Sequence, residues 1–418
     1  LPILWNGTVV VSLPKMNALL LVDAAGSAVR GTVPLESPRG LAFDSSGRLL
    51  AVSGRQVVRV TLPTGERPGE AAAAGVVVAG GLEDPQQLAL DADGNLYVSD
   101  RGIANQVKVF TPDGAPLRTI GLAGVAKAGP YDPRQMHNPK GLAIDARGQL
   151  WVAEDDFQPK RVSVWSLDGR LLRAFYGPPV YGGGGVLDPR DERLFYLAGM
   201  TFELNWRTGA SELTAIRYRP GKDDFALPSG HHADGPPDTP LYVGGRKYYT
   251  NCYTSSPTGG TPVVCIWRDV DGVAVPAAAF GRADVWTWLK DDVFRARVEA
   301  AAGPVKPGKE PNLGDLIFIW SDVDGDGNGQ PEEVALRRGT VSSGVTVGAD
   351  LSLVTGNAVR YAPVRLSAAG VPVYDLDAGK VLCPEPQRPT SSGGGQVLMA
   401  GGGWTVLTTA PKPFAPQS

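Results

Sequence analysis

The chain contains three copies of one short sequence pattern. Each copy begins with Pro, passes through an apolar stretch to Asp-x-x-Gly, and continues with Leu and Val. The copies span Pro38–Val52, Pro85–Val98 and Pro139–Val152. They recur at a period of about 50 residues, which is typical of blades, arrays and solenoids. Repeated supersecondary units are therefore the main constraint on the fold.

Each copy predicts a tight hairpin between two short strands. Apolar residues lead up to the Asp-x-x-Gly turn and resume after it, and the Gly supplies the left-handed turn position. A third strand is predicted after each hairpin, at Val57–Thr61, Val107–Thr111 and Val162–Ser166. Four-stranded antiparallel units at this period, with almost no helical pattern, predict an all-β chain folded as a β-propeller.

The repeat resembles that of the NHL family of propellers, in particular large exported bacterial NHL-repeat proteins. Pro-x-Gly-Leu-Ala-hydrophobic-Asp, then Gly-x-Leu-aromatic-Val, is the shared pattern, and it covers about residues 37–176. The resemblance implies a fold. It does not imply one function, because propellers serve as lyases, lactonases, targeting modules and adhesion surfaces.

We expect residues 1–418 to form a single propeller domain of seven or eight four-stranded blades, with eight favoured. The divergent blades are predicted at about 183–220, 241–281, 285–340 and 343–376. Gln396–Ala400 and Trp404–Thr408 are candidates to pair with the N-terminal blade and close the ring. Trp286–Ala301 is the best helix candidate, as a short insertion.

Charge and hydropathy exclude two classes of partner. The chain has 40 Lys and Arg against 43 Asp and Glu, a net charge of −3. This balance predicts no nucleic-acid surface. No apolar run approaches the roughly 20 residues that a membrane-spanning helix needs.

One motif indicates a calcium site. Residues 322–333 match the EF-hand calcium loop, in which alternate positions supply hard oxygen ligands and the last position is a Glu that binds through both oxygens. The predicted ligands are Asp322, Asp324, Asp326, Asn328, Gln330 and Glu333.

The loop departs from the EF-hand pattern in two ways. Gly329 stands where an aliphatic residue is usual, and the preceding Leu316–Trp320 has the pattern of a strand. We therefore expect a structural calcium ion in a β-hairpin, with a solvated acidic turn as the alternative. Ile266–Gly272 is a degenerate copy that lacks the third Asp and the closing Glu, so no metal is expected there.

The three cysteines are Cys252, Cys265 and Cys383. Folding a hairpin about Thr258 and Gly259 places Cys252 directly opposite Cys265, which is near disulfide reach. The sequence therefore predicts this disulfide, with two unrelated buried thiols as the alternative. A disulfide favours an oxidising compartment.

Other candidate sites are weaker. His231, His232 and Asp234 are interpreted as a polar loop. Glu154–Asp156 and Asp100 follow strands at equivalent places, and we interpret them as bonding backbone donors. The glycine run within Tyr176–Gly185 allows close approach of a ligand or a neighbouring strand.

The leading hypothesis is an exported, calcium-stabilised NHL-type propeller that acts as a binding or assembly module at or outside the cell surface. Its loops would bind a protein or a glycan. The alternatives are a lyase or hydrolase with a metal in the central channel, and a self-assembling surface or filament subunit. The absence of Met at position 1 is interpreted as the mark of a processed chain.

Overall fold

A computed structural model describes most of the chain. The described residues are 2–5, 7–26, 28–62, 74–177, 185–219, 236–251, 263–303, 311–339, 341, 345–383, 397–399 and 404–407. They divide into two compact units, Leu1–Ala126 with Asp132–Pro179 and Lys127–Tyr131 with Val180–Ser418. The structure is all-β, as predicted, whereas a single propeller domain remains a prediction.

The described residues of the first unit form four antiparallel sheets of four strands each. In every sheet each strand pairs with the next one along the chain. The strands are β1 (Pro2–Trp5), β2 (Thr8–Leu13), β3 (Ala18–Asp23), β4 (Val29–Pro34), β5 (Pro38–Phe43), β6 (Leu49–Ser53), β7 (Gln56–Val60), β8 (Ala74–Val78), β9 (Pro85–Leu90), β10 (Leu96–Asp100), β11 (Gln106–Phe110), β12 (Pro116–Ile120), β13 (Gly129–Pro130, which belongs to the second unit), β14 (Pro139–Ile144), β15 (Gln149–Glu154), β16 (Arg161–Ser166) and β17 (Leu171–Tyr176). The three sequence repeats form three of these sheets.

The repeated Asp-x-x-Gly turn has the predicted hairpin geometry. In the first copy, Asp44 Oδ1 accepts hydrogen bonds from the amides of Ser46 and Arg48, both at 2.9 Å. Gly47 has a φ of +73°, a left-handed conformation that glycine adopts without steric cost. Asp91 and Asp145 accept the same pair of amide hydrogen bonds in the other copies. The repeated Asp therefore holds the turn.

Successive sheets of the first unit meet near their first strands. β2 lies against β5, β5 against β9, and β9 against β14. A Cβ on Gly40 of β5 would lie 2.6 Å from the Cα of Gln87 on β9, so the glycine of the repeat permits this approach. Ser99 of β10 also donates to the carbonyl of Lys140 on β14 at 2.8 Å. This is the kind of packing expected between blades, while the number of blades remains a prediction.

The second unit contains sheets of several sizes. They have five strands (β13, β21, β20, β19, β18), six strands (β22 to β27), four strands (β28, β29, β30, β33) and two strands (β31–β32 and β34–β35). The bounds are β18 (Val186–Leu187), β19 (Leu194–Leu197), β20 (Met200–Asn205), β21 (Ala210–Ile216), β22 (Thr239–Val243), β23 (Arg246–Thr250), β24 (Val263–Val270), β25 (Val273–Arg282), β26 (Leu316–Ser321), β27 (Val334–Arg338), β28 (Val345–Val347), β29 (Leu353–Thr355), β30 (Val359–Tyr361), β31 (Arg365–Leu366), β32 (Pro372–Val373), β33 (Lys380–Val381), β34 (Val397–Met399) and β35 (Thr405–Leu407).

The six-stranded sheet corrects the prediction of two separate blades over 241–281 and 285–340. β25 pairs with β24 along one edge and with β26 along the other, where Ala278 lies opposite Ser321. The segment between β25 and β26 includes short 3-10 turns and α1 (Arg295–Ala302). Trp286 and Phe294 from this segment join a buried cluster with Trp320. The segment thus covers one face of the sheet instead of starting a new one.

The predicted helix and the predicted closing strands are also revised. Only the second half of Trp286–Ala301 is α-helical, because α1 begins at Arg295. β34 and β35 pair with each other as a two-stranded sheet. Closure of a ring by these strands therefore remains a prediction.

A buried carboxylate links two sheets of the second unit. Asp188 accepts hydrogen bonds from the hydroxyls of Tyr196 and Tyr242, both at 2.7 Å, and lies 2.8 Å from the Lys247 ammonium. Burial raises the pKa of Asp188, but the hydrogen bonds from Lys247 and Tyr242 outweigh it and hold the pKa well below its usual range. The carboxylate is therefore charged and fully partnered at neutral pH.

We predict that Gly40→Ala lowers the free energy of unfolding by about 1–3 kcal/mol, the usual cost of overpacking. The added methyl would meet the β9 backbone, which has to move. Gly75→Ala is the matched control, because a Cβ on Gly75 of β8 meets no atom of the described residues within 4 Å. Urea denaturation of both variants measures the difference. Equal loss of stability in the two variants would contradict the prediction.

Candidate metal centre

The predicted calcium loop connects two strands of the six-stranded sheet. Trp320 at the end of β26 pairs with Val334 at the start of β27, so Asp322 to Glu333 form the connection between them. The flanking elements are strands, as predicted. The amide of Asp322 donates to the carbonyl of Ala277 on β25 at 2.9 Å. The first loop residue is therefore fixed by the sheet itself.

Three of the predicted ligands converge. Asp322, Asp324 and Glu333 each offer a carboxylate oxygen, and these oxygens lie within 4.8 Å of one another. Asp322 is 0% exposed, whereas Asp324 is exposed and Glu333 is half-buried. Such a set of close carboxylates is unfavourable without a neutralising charge. It suits a cation that prefers hard oxygen ligands.

The two oxygens of Asp322 differ in their partners. Oδ1 accepts hydrogen bonds from the amides of Gly325 and Gly327, both at 3.1 Å. Oδ2 is buried and accepts no hydrogen bond from the described residues. A buried charged oxygen without a partner costs free energy. A bound cation would supply the missing partner.

The pKa of Asp322 indicates that its surroundings stabilise the charged carboxylate poorly. Its pKa is raised to about 6; burial is the largest cause, and the negative charges of Glu333 and Asp324 add to the increase. The hydrogen bond from the Gly327 amide and the charge of Arg268 act in the opposite direction but are too weak to cancel it. Burial and the two neighbouring carboxylates therefore disfavour the charged form of Asp322, and a bound cation would reverse that effect on the carboxyl.

Glu333 is held over the start of the loop. Its Oε2 accepts a hydrogen bond from Trp320 Nε1 at 3.0 Å, and its Oε1 accepts from the amide of Val323 at 2.5 Å. Trp320 is fully buried. This rigid indole therefore positions the residue that is predicted to close the cation site.

The remaining predicted ligands form a hydrogen-bond network that is joined to Asp324. The amide of Asn328 donates to Asp326 Oδ1 at 2.7 Å. Gln330 Nε2 donates to Asp326 at 2.9 Å and to Asp324 at 3.3 Å, while Gln330 Oε1 is buried without a hydrogen bond in the described structure. A cation beside these carboxylates would favour the flipped amide, with Oε1 turned toward the ion.

The unusual glycine of the loop has a packing cause. A Cβ on Gly329 would lie 2.9 Å from the ring of Trp288 and 3.4 Å from that of Trp286. These tryptophans belong to the segment that covers the sheet. An aliphatic residue does not fit, so the departure from the EF-hand pattern follows from the neighbouring segment.

The degenerate copy shows why only one hairpin is a candidate site. Asp269 Oδ1 accepts from the amide of Gly272 at 3.1 Å, as Asp322 Oδ1 does from Gly325. Asp269 Oδ2, however, accepts a hydrogen bond from the Tyr249 hydroxyl at 2.5 Å. The equivalent oxygen of Asp322 has no such donor. Sequence analysis missed both Tyr249 and the role of Trp320, although the Trp precedes the first Asp at the same spacing in both copies.

The strand pairing from which the disulfide was predicted differs by one residue from the pairing in the structure. Tyr249 pairs with Trp267, and Thr250 with Ile266. The amide of buried Cys265 donates to Asn251 Oδ1 at 2.9 Å. Cys252 lies outside the described residues, so the bond itself remains a prediction.

The other acidic candidates have structural partners. Asp100 accepts hydrogen bonds from the amides of Glu83 and Asp84. Glu154 accepts one from the amide of His137 at 2.7 Å and lies 2.8 Å from Arg161. These contacts support the interpretation that both bond backbone donors. His231, His232, Asp234 and Tyr181 lie outside the described residues.

No protein-family model and no curated protein matches the chain. Solved structures give distant likenesses. A nidogen/laminin complex is 16% identical with a TM-score of 0.31, covering 64% of this chain and 91% of that one. Kuenenia stuttgartiensis hydrazine synthase is 14% identical with a TM-score of 0.30, covering 80% and 92%. A gluconolactonase from Xanthomonas campestris is 16% identical with a TM-score of 0.31, covering 63% and 81%.

Superpositions this poor identify neither family nor function, so the NHL resemblance remains a prediction. Among the helices of the described residues, none has the length and apolar character that a membrane crossing requires.

We predict that Trp320→Phe weakens calcium binding by about tenfold or more, as loss of a residue that orients a ligand usually does. The change removes the hydrogen bond to Glu333 and keeps an aromatic ring in the core. Trp267→Phe is the matched control, because Trp267 is equally buried and its Nε1 makes no hydrogen bond in the described structure. Isothermal titration calorimetry measures both. Equal affinities would show that the indole does not position Glu333.

Proposed function

We propose that this chain is a calcium-stabilised NHL-type β-propeller that serves as a binding or assembly module. The observation that carries the calcium assignment is the fully buried Asp322, whose Oδ2 accepts no hydrogen bond from the described residues. It lies beside Asp324 and Glu333 in a connection of EF-hand spacing. The ion would join β26 and β27 and stabilise the folded state by mass action.

The chemistry of the donor set favours calcium over other ions. All predicted side-chain ligands are oxygen donors, without His or Cys, which excludes the soft-ligand sites typical of zinc and copper. Calcium accepts six to eight oxygens in a flexible cage, whereas magnesium requires a tight octahedron and keeps its waters. A loop with carboxylates, amide side chains and backbone carbonyls fits the larger ion.

The first unit supports the binding role. Its charged residues at one end of the sheets pair with one another, in the order Arg39, Asp84, Arg101, Asp155 and Lys140. Because these charged side chains neutralise one another, they connect neighbouring sheets. This arrangement fits a rigid binding surface better than it fits a catalytic acid–base pair.

Loops at the same unit offer a surface for recognition. Asn138 joins two of them, since its amide donates to Asn105 Oδ1 at 3.2 Å and its side chain donates to Asp156 at 3.1 Å. The same loops expose Ile103 and Phe157, with 78% and 45% of their surface accessible. Exposed apolar residues on loops that are fixed to one another suit the binding of a protein or glycan at or outside the cell surface.

We predict that chelation lowers the melting temperature and that calcium restores it better than magnesium. Asp324→Ala should abolish the difference, because it removes a converging oxygen without disturbing a core side chain. Asp271→Ala is the matched control, since it changes the equivalent exposed Asp of the degenerate copy. Differential scanning fluorimetry with and without chelator measures the effect. If wild type and Asp324→Ala melt alike under all conditions, the loop is only an acidic turn.

The exported location rests on the predicted disulfide between Cys252 and Cys265. Peptide mapping without reductant should recover the two cysteine-containing tryptic segments as one linked species. Free alkylation of Cys252 and Cys265 without reductant would remove the support for an oxidising compartment.

A further inference from the structure

One cationic side chain faces the candidate calcium loop from a neighbouring hairpin. Arg268 on β24 places its Nη2 3.8 Å from Asp322 Oδ2. The same nitrogen lies 3.8 Å from the position that a Cβ on Gly325 would occupy. The Arg268 side chain is 13% exposed, and that of Asp322 is 0% exposed. The guanidinium is thus the positive charge that the structure places nearest the unpartnered oxygen.

The contact is electrostatic and incomplete. A separation of 3.8 Å is too long for a hydrogen bond, so the guanidinium offsets the charge of Asp322 without satisfying its oxygen. Arg268 Nε is itself buried and makes no hydrogen bond within the described residues. Neither group is therefore fully satisfied by the other, and little hydrogen bonding would be lost if they separated.

The same guanidinium holds a turn of the chain. Arg268 Nη1 donates to the carbonyl of Ala369 at 3.2 Å. Arg246 on β23 donates to the carbonyl of Ala368 at 2.9 Å. The Tyr248 hydroxyl donates to the carbonyl of Gly370 at 2.7 Å. Three side chains from two adjacent strands thus fix residues 367–371, the turn between β31 and β32.

We propose that Arg268 is an internal counter-ion of the loop, which competes with calcium for Asp322 and couples the loop to the turn at 367–371. This inference rests on the proposed calcium binding. A divalent cation bound to Asp322 repels the guanidinium, and repulsion at such a distance inside a protein is substantial. The cost lowers calcium affinity. The coupling is reciprocal: bound calcium weakens the interaction of Arg268 with the turn by the same free energy as that interaction costs calcium binding.

The degenerate copy explains why an arginine lies beside Asp322. Arg268 immediately precedes Asp269, at the position that Ser321 occupies before Asp322. Asp269 is satisfied by Tyr249 and Gly272, so its own hairpin does not need the arginine. The side chain instead neutralises the carboxylate of the second hairpin. One copy of the repeated element therefore supplies the charge that regulates the other.

The test is calcium titration calorimetry on the wild type, Arg268→Gln and Arg246→Gln. We expect Arg268→Gln to bind calcium about tenfold more tightly or better, because a unit charge beside the ion is removed. Arg246→Gln is the matched control: it removes an equivalent hydrogen bond to the same turn, and its affinity should equal that of the wild type.

The possible results distinguish the proposed calcium binding from the counter-ion role of Arg268. Absence of calcium binding in all three proteins overturns the proposed function, and the inference with it. Calcium binding with equal affinity in the wild type and Arg268→Gln overturns the inference alone. An equal gain in both variants also overturns it, because the effect would then come from loosening the turn.

A second measurement uses only the wild type and is independent of how the variants fold. Hydrogen–deuterium exchange is followed for the peptide that contains residues 364–374, with and without calcium. The amides of Gly370 and Val371, which donate to the carbonyl and hydroxyl of Ser367, should exchange faster when calcium is bound. Unchanged or slower exchange would overturn the coupling.

Discussion

A buried carboxylate is stable only if positive charge or hydrogen-bond donors reach both of its oxygens, and only one oxygen of Asp322 accepts hydrogen bonds from the described residues. Two glycine amides bond its Oδ1, and the other oxygen faces Arg268 at a distance. Asp324 and Glu333 converge on the same space and add negative charge to it. A bound cation is the simplest way to remove the cost.

The surrounding sheet makes this site rigid. Trp320 fixes Glu333, and Trp288 leaves room only for glycine at position 329. These aromatic residues belong to one buried cluster on one face of the six-stranded sheet. The site is therefore anchored to the core of the second unit through Asp322 and Trp320, and an ion there would be structural. A sensor loop needs flanking elements that move, and two strands within a continuous sheet do not provide them.

The repeat pattern predicted the first unit well because its information is local. Each Asp-x-x-Gly turn is built from hydrogen bonds within the turn itself, as at Asp44. The convergence of Asp322, Asp324 and Glu333 is local in the same sense, since all three lie within one segment, while calcium binding itself remains a prediction. The local pattern did not predict that the chain returns to the same sheet after a long insertion, where β26 pairs with β25. The pairing of Tyr249 with Trp267 also differs by one residue from the predicted pairing, because a register is set by facing side chains and turn geometry together.

The sequence by itself determined the all-β class, the repeated hairpins and the acidic loop between two strands. Only the tertiary structure decided which carboxylate oxygens lack a partner. Tyr249 satisfies Asp269 from an adjacent strand, whereas Arg268 reaches Asp322 from a different hairpin. The two hairpins begin with the same Ile-Trp-x-Asp-Val-Asp-Gly pattern, so the different surroundings of Asp269 and Asp322 depend on which distant side chains the fold packs against each one. Packing of that kind is a property of the whole sheet, and no local spacing encodes it.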